Sequence, residues 1–139
     1  MSDRFVVDNS VVMTWCFQDE ANSYADAILN KLAKATAVVP PIWPLEVTNV
    51  LLVAERKGRL HEADSLRFLS LLSQLPIDVD RSWPERLMKD ILSMGRAHNL
   101  SSYDASYIEL AMRQGLPIAT LDRNLLEAAS QIDLPILNV

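Results

Sequence analysis

Short apolar runs alternate with segments of helical periodicity along the chain, and that alternation predicts an α/β fold with a mostly parallel sheet covered on both faces. Arg4 to Val7 reads as a buried strand ending at Asp8, followed by a short helix over Ser10 to Phe17. Tyr24, Ala27, Ile28 and Leu32 recur at helical spacing within Glu20 to Lys34, and Ala37-Val38-Val39 before Pro40-Pro41 reads as a second strand. A helix starting near Trp43-Pro44 carries Val47, Val50, Leu51 and Ala54 on its core face, which puts Glu46 and Asn49 together on its flank. Further helices are predicted over Glu62 to Leu75, Trp83 to His98, Ser101 to Gln114 and Arg123 to Gln131. Ile77 to Val79, Leu116 to Leu121 and Leu134 to Leu137 read as strands.

This order of elements gives four acids a common position. Asp8 and Asp122 lie at or just past the ends of two strands, and Glu46 opens the helix after the second strand. In open α/β sheets that edge is where ligands bind. Asp104 arrives there by arithmetic: a helix of about eleven residues rises roughly 16 Å. A strand of about five residues at roughly 3.3 Å each runs nearly the same distance back. With only Gly115 between them, Asp104 returns to the level of Asp122. The cluster closes only if the strands ending at Asp8 and Leu121 are neighbours.

Each acid taken singly also suits a helix start. Asp8 and Asp122 are good N-caps, Ser101-Ser102-Tyr103-Asp104 resembles a capping box, and Glu46 in a first turn complements the helix dipole. Four such acids at one edge, with no obvious basic partner, instead form a hard-cation site suited to phosphodiester chemistry. Ser10, Thr120 and Asn49 stand where they can orient ligating carboxylates. Arg123 beside Asp122, and Trp43 just before Glu46, are the candidate substrate contacts; Arg56-Lys57-Gly58-Arg59 is a further basic cluster. His61 and His98 have no metal-ligand spacing and read as surface or helix-end residues.

Composition narrows the class. The chain has 139 residues, 50% of them hydrophobic, which suits one domain over residues 1–139. No run reaches the roughly 18 apolar residues of a membrane span, so the expectation is a cytoplasmic protein without membrane contact. The single cysteine, Cys16, cannot pair internally. Thirteen basic against eighteen acidic residues give a net charge of −5, which opposes non-specific nucleic-acid binding. Three glycines, Gly58, Gly95 and Gly115, cannot build a phosphate-cradling loop.

Four segments, Val7-Asp8-Asn9-Ser10, Pro44 to Leu51, Leu100 to Tyr107 and Ala119 to Leu125, resemble in order and spacing the PIN-domain ribonucleases of the VapC toxin kind. The resemblance implies an α/β/α sandwich and an endoribonuclease dependent on Mg²⁺ or Mn²⁺. It implies that Asp8, Glu46, Asp104 and Asp122 bind the metal, supported by Ser10, Asn49 and Thr120. It also implies a homodimer neutralised by a cognate antitoxin, with RNA as substrate. Two other functions compete. A non-catalytic PIN-like interaction module would bind partners without hydrolysis. A phosphatase with Asp8 as nucleophile would want a second acid where Ser10 stands.

Overall fold

The computed structural model describes residues 3–139. Four parallel strands, β1 (Asp3–Val7), β2 (Ala35–Val39), β3 (Ile77–Val79) and β4 (Ile118–Ala119), form one sheet in the order β3-β2-β1-β4. The helices are α1 (Asn9–Val12), α2 (Ser23–Lys31), α3 (Trp43–Arg56), α4 (Glu62–Ser73), α5 (Leu87–His98), α6 (Ser102–Gln114) and α7 (Arg123–Gln131). They cover the sheet in a three-layer α/β/α sandwich. Phe5, Val6 and Val7 of β1 have no exposed surface, which explains an unbroken apolar run rather than an alternating one. No helix among the described residues is long and apolar enough to cross a membrane.

The chain runs outward from β1 to β2 and β3, then returns to place β4 on the other side of β1. This reversal makes the β1/β4 boundary the topological switch point. Val7 pairs with Ala119, and the Asp8 amide donates to the Ala119 carbonyl at 2.9 Å. The strands ending at Asp8 and Asp122 are therefore neighbours, as the acid cluster requires. Helix α6 packs on both strands, and Gly115 ends it at φ 65°, ψ 40°, a left-handed turn that suits glycine. That turn sends the chain back antiparallel toward Asp122.

Several elements are shorter than the periodicity predicts. The strand expected over Leu116 to Leu121 is ordered as a ladder only at Ile118–Ala119, and that expected over Leu134 to Leu137 is a single bridge from Ile136 to Ile118. Pro117 and Pro135 interrupt both segments, and neither can donate to a ladder. The helix expected over Ser10 to Phe17 is one α turn followed by a 3₁₀ turn at Met13–Trp15. Helix α2 starts only at Ser23, because Asn22 caps it by accepting from the Ala25 amide at 3.0 Å. Helix α5 begins at Leu87 rather than Trp83, and Trp83 stands 65% exposed in the preceding loop.

Candidate active site

Asp8 follows β1 directly, so its carboxylate is drawn into the sheet edge and only 5% of the residue is exposed. Burying a charge there is costly, and the cost is met by donors on one oxygen. Asp8 Oδ2 accepts from Ser10 Oγ at 2.5 Å, from the Ser10 amide at 3.3 Å and from Thr120 Oγ1 at 2.9 Å. Asp8 Oδ1 has no hydrogen bond among the described residues. The same two hydroxyls accept from the far side: Ser10 Oγ takes the Leu121 amide and Thr120 Oγ1 the Asp122 amide, each at 3.0 Å. Both hydroxyls thus clasp the ends of β1 and β4 together while leaving one carboxylate oxygen of Asp8 available.

Two of the other three acids are held in comparable ways. Asp122 caps α7, its Oδ1 accepting from the Leu125 amide at 3.1 Å. Glu46, in the first turn of α3, accepts at Oε1 from the hydroxyl of fully buried Tyr107 at 2.6 Å. Ser101 caps α6 by accepting from the Asp104 amide at 3.1 Å, and the Asp104 carboxylate itself accepts nothing among the described residues. Capping and convergence on one edge therefore coexist, each cap using one oxygen.

Asp8, Glu46 and Asp104 each feel a neighbouring carboxylate. Burial raises the Asp8 carboxyl above its ordinary value, its hydrogen bonds from Ser10 and Thr120 oppose this, and Asp122 adds repulsion. Glu46 is raised by burial, opposed by Tyr107 and reinforced by Asp8 and Asp104. Asp104 is raised by burial and then by Asp8 and Asp122. The Tyr107 hydroxyl is pushed far up by its own burial and its bond to Glu46, so it stays a donor.

The chemistry of this donor set suits a hard divalent cation: carboxylate and hydroxyl oxygens, with no thiol or imidazole among them. Among the described residues no three acids, histidines or cysteines stand close enough to grip one ion directly. A Mg²⁺-sized ion that retains several waters accommodates such a spread of oxygens. The residues available to it are Asp8, Glu46, Asp104 and Asp122.

The chain matches the PIN domain family over residues 5–131. It belongs to that family. A curated relative, ribonuclease VapC3 of Pyrobaculum aerophilum, is 26% identical over 124 residues, which cover 89% of this chain and 93% of the relative. The crystal structure of PAE2754 from Pyrobaculum aerophilum superposes with a TM-score of 0.69 at 25% identity, covering 92% of this chain and 86% of that one. A toxin-antitoxin complex from Klebsiella pneumoniae (TM-score 0.64, 13% identity) and FitAcB from Neisseria gonorrhoeae (0.59, 17%) share the fold, each over 96% of both chains.

Within this PIN domain the other candidate residues divide. Ser10 and Thr120 touch Asp8 directly. Asn49 is exposed and makes no hydrogen bond to any acid among the described residues; it borders a cavity beside Glu46. Arg123 is exposed at the start of α7, next to Asp122. Trp43 is a correction: it is 8% exposed and packed in the core, so its ring offers no open face to a base. Within the Arg56 to Arg59 cluster, Arg59 is bound to Asp19 and Glu20 at 2.9 and 2.6 Å and lies over the Phe17 ring at 3.9 Å. His98 bonds Gln131 at 2.8 Å and the His61 amide bonds Asp64 at 2.9 Å, both at helix ends.

Two residues escaped the sequence reading. Tyr107 lies three positions after Asp104 and so on the same helical face, yet a tyrosine among apolar neighbours reads as core. Asn9 leaves its Oδ1 buried without a partner among the described residues, which no local pattern reveals.

Proposed function

We propose that this chain is a Mg²⁺- or Mn²⁺-dependent endoribonuclease, the toxin of a toxin–antitoxin pair, acting in the cytoplasm as one PIN domain over residues 1–139. The observation that carries the reading is the pairing of β1 with β4, which with the Ser10 and Thr120 hydroxyls brings the strand ends at Asp8 and Asp122 together at the switch point; neighbouring carboxylates also raise Asp8, Glu46 and Asp104, a repulsion that a divalent cation relieves. A bound Mg²⁺ or Mn²⁺ would supply the positive charge that lets RNA phosphate enter an acidic edge and would favour an ionised water there.

The chain's own residues do the positioning. Ser10 and Thr120 fix the Asp8 carboxylate through Oδ2, and Tyr107 fixes Glu46 through Oε1. Arg123 steadies the phosphate from the rim. Water oxygen bonds to phosphorus in line as the bond to the 3′ oxygen breaks, and the departing 3′ oxygen takes a proton from solvent water, leaving a 5′ phosphate and a 3′ hydroxyl. The proton that water releases passes to solvent, and the Asp104 carboxylate, which accepts no hydrogen bond among the described residues, is left open toward the cation.

The name of the Pyrobaculum aerophilum relative supports RNA as substrate, and the Klebsiella pneumoniae complex supports an antitoxin partner. A basic antitoxin segment complements the acids. The reading includes a homodimer, for which exposed Trp83, Met88 and Leu92 around the start of α5 supply apolar surface. The test is incubation of purified, antitoxin-free protein with structured RNA in Mg²⁺, Mn²⁺ or EDTA, beside Asp8→Asn. Cleavage that needs metal and vanishes in the variant is expected; equal behaviour of both proteins in every condition would return the interaction-module reading.

A further inference from the structure

A cavity of about 360 Å³ opens directly against Glu46. Its apolar walls include Ile42 and Leu45, and its polar groups are Asn9 and Asn49, with Tyr103 completing the rim. Every polar or aromatic member is tied to a different acid. Asn9 follows Asp8, Tyr103 precedes Asp104, and Asn49 stands one turn beyond Glu46. The cavity therefore borders the acid cluster itself.

Its lining is unusual in two respects. Tyr103 is 56% exposed although it starts a helix whose following residues, Ala105, Tyr107 and Ile108, are fully buried. An aromatic ring kept in solvent one residue from a reactive acid is poor packing but a good stacking platform. Asn9, which lines the cavity, meanwhile buries Oδ1 with no hydrogen-bond partner among the described residues. An amide in that state has recognition capacity left over.

We propose that this cavity takes one unstacked RNA base flanking the scissile phosphate, stacked on Tyr103 and read along its edge by Asn9 and Asn49. The proposal rests on the endoribonuclease reading above and makes the cavity the source of its sequence preference. Single-stranded RNA is recognised in this way, by splaying a base onto an aromatic ring and bonding its edge. Apolar Ile42 and Leu45 shield those bonds from water.

The test compares short single-stranded RNAs carrying each of the four bases, or an abasic ribonucleotide, beside the cut. Wild type should cleave its preferred base roughly tenfold to hundredfold more efficiently than the abasic site, the range that loss of one stacked base produces. In Tyr103→Ala, and separately in Asn9→Ala, that ratio should collapse toward one; a merely structural loss would slow all substrates alike and leave the ratio unchanged. A second readout needs no cleavage: 2-aminopurine at the same position should be quenched on binding to Asp104→Asn in Mg²⁺ and not to Asp104→Asn with Tyr103→Ala. Quenching without any RNA hydrolysis by wild type would keep the base site and overturn the nuclease reading. Cleavage with an unmoved ratio would overturn the base site alone, as would a dimer that Tyr103→Ala converts to monomer while the ratio stays fixed.

Discussion

Thr120 Oγ1 donates to Asp8 Oδ2 at 2.9 Å, joining residues 112 positions apart at the boundary where the sheet reverses its order. The same hydroxyl accepts the Asp122 amide, so one side chain sets the spacing between two acids. Thr120→Val keeps the shape and removes both bonds. It should cost about 1–3 kcal/mol of stability, since a nearly buried carboxylate and an amide both lose a partner. Urea unfolding measures this, and a change within about 0.5 kcal/mol would show that the clasp is incidental.

Tyr107→Phe removes only the hydroxyl that holds Glu46 at 2.6 Å and leaves the buried ring in place. Loss of an orienting partner of this kind weakens metal binding by about 10- to 100-fold. Titration calorimetry with Mn²⁺ should register that loss while the far-ultraviolet spectrum stays unchanged. Wild-type affinity in the variant would make the contact mere packing.

Arg113 lies under the loop between β3 and α5, bonding Asp80 at 2.8 Å, Glu109 at 2.7 Å and Ser82 at 2.8 Å. The side chains of Asp80 and Glu109 are each 7% exposed. Arg113→Met would strand two nearly buried carboxylates, a loss expected to cost about 3–5 kcal/mol. Chemical denaturation should show it, together with freer Trp83 fluorescence; a drop below about 1 kcal/mol would contradict the network's role.

In EDTA the pH dependence of stability should carry the mark of the acid cluster. Burial, then mutual repulsion, holds Asp8, Glu46 and Asp104 above the ordinary carboxylate range, so the folded protein keeps protons that the unfolded chain has released. Their contribution is full below the ordinary range and is lost as pH rises through the raised folded values. Asp80 acts oppositely: burial raises its carboxyl, but Arg113 and Ser82 overcome that and hold it low, so its contribution is lost as pH falls. The difference in melting temperature between wild type and Asp104→Asn isolates the cluster. It should widen against wild type as pH rises and shrink when Mg²⁺ is added, whereas a difference independent of pH would refute the coupling.

The sheet edge was legible because strands ending at acids, Phe5-Val6-Val7 before Asp8 and Ile118 to Leu121 before Asp122, need only local pattern. The adjacency of those strands was not, since Val7 meets Ala119 through a long-range pairing that periodicity does not encode. Pro117 and Pro135 shortened two strands whose apolar content alone suggested full length. Trp43 and Trp83 exchanged roles: proximity to Glu46 suggested an open Trp43 ring, whereas the core took Trp43 and the loop held by Arg113 left Trp83 outside. Ser10 and Thr120 were found because they lie within two residues of an acid, while Tyr107, 61 positions from Glu46, required the folded chain.

The most direct measurement is Mn²⁺ binding by electron paramagnetic resonance to wild type and to Asp8→Asn, Glu46→Gln, Asp104→Asn and Asp122→Asn. If the four acids act as one site, each substitution weakens Mn²⁺ binding at least about tenfold, and the double substitutions fall short of additive losses. Wild-type Mn²⁺ affinity in any three of the four variants would contradict a shared site and leave these acids to their roles at helix starts.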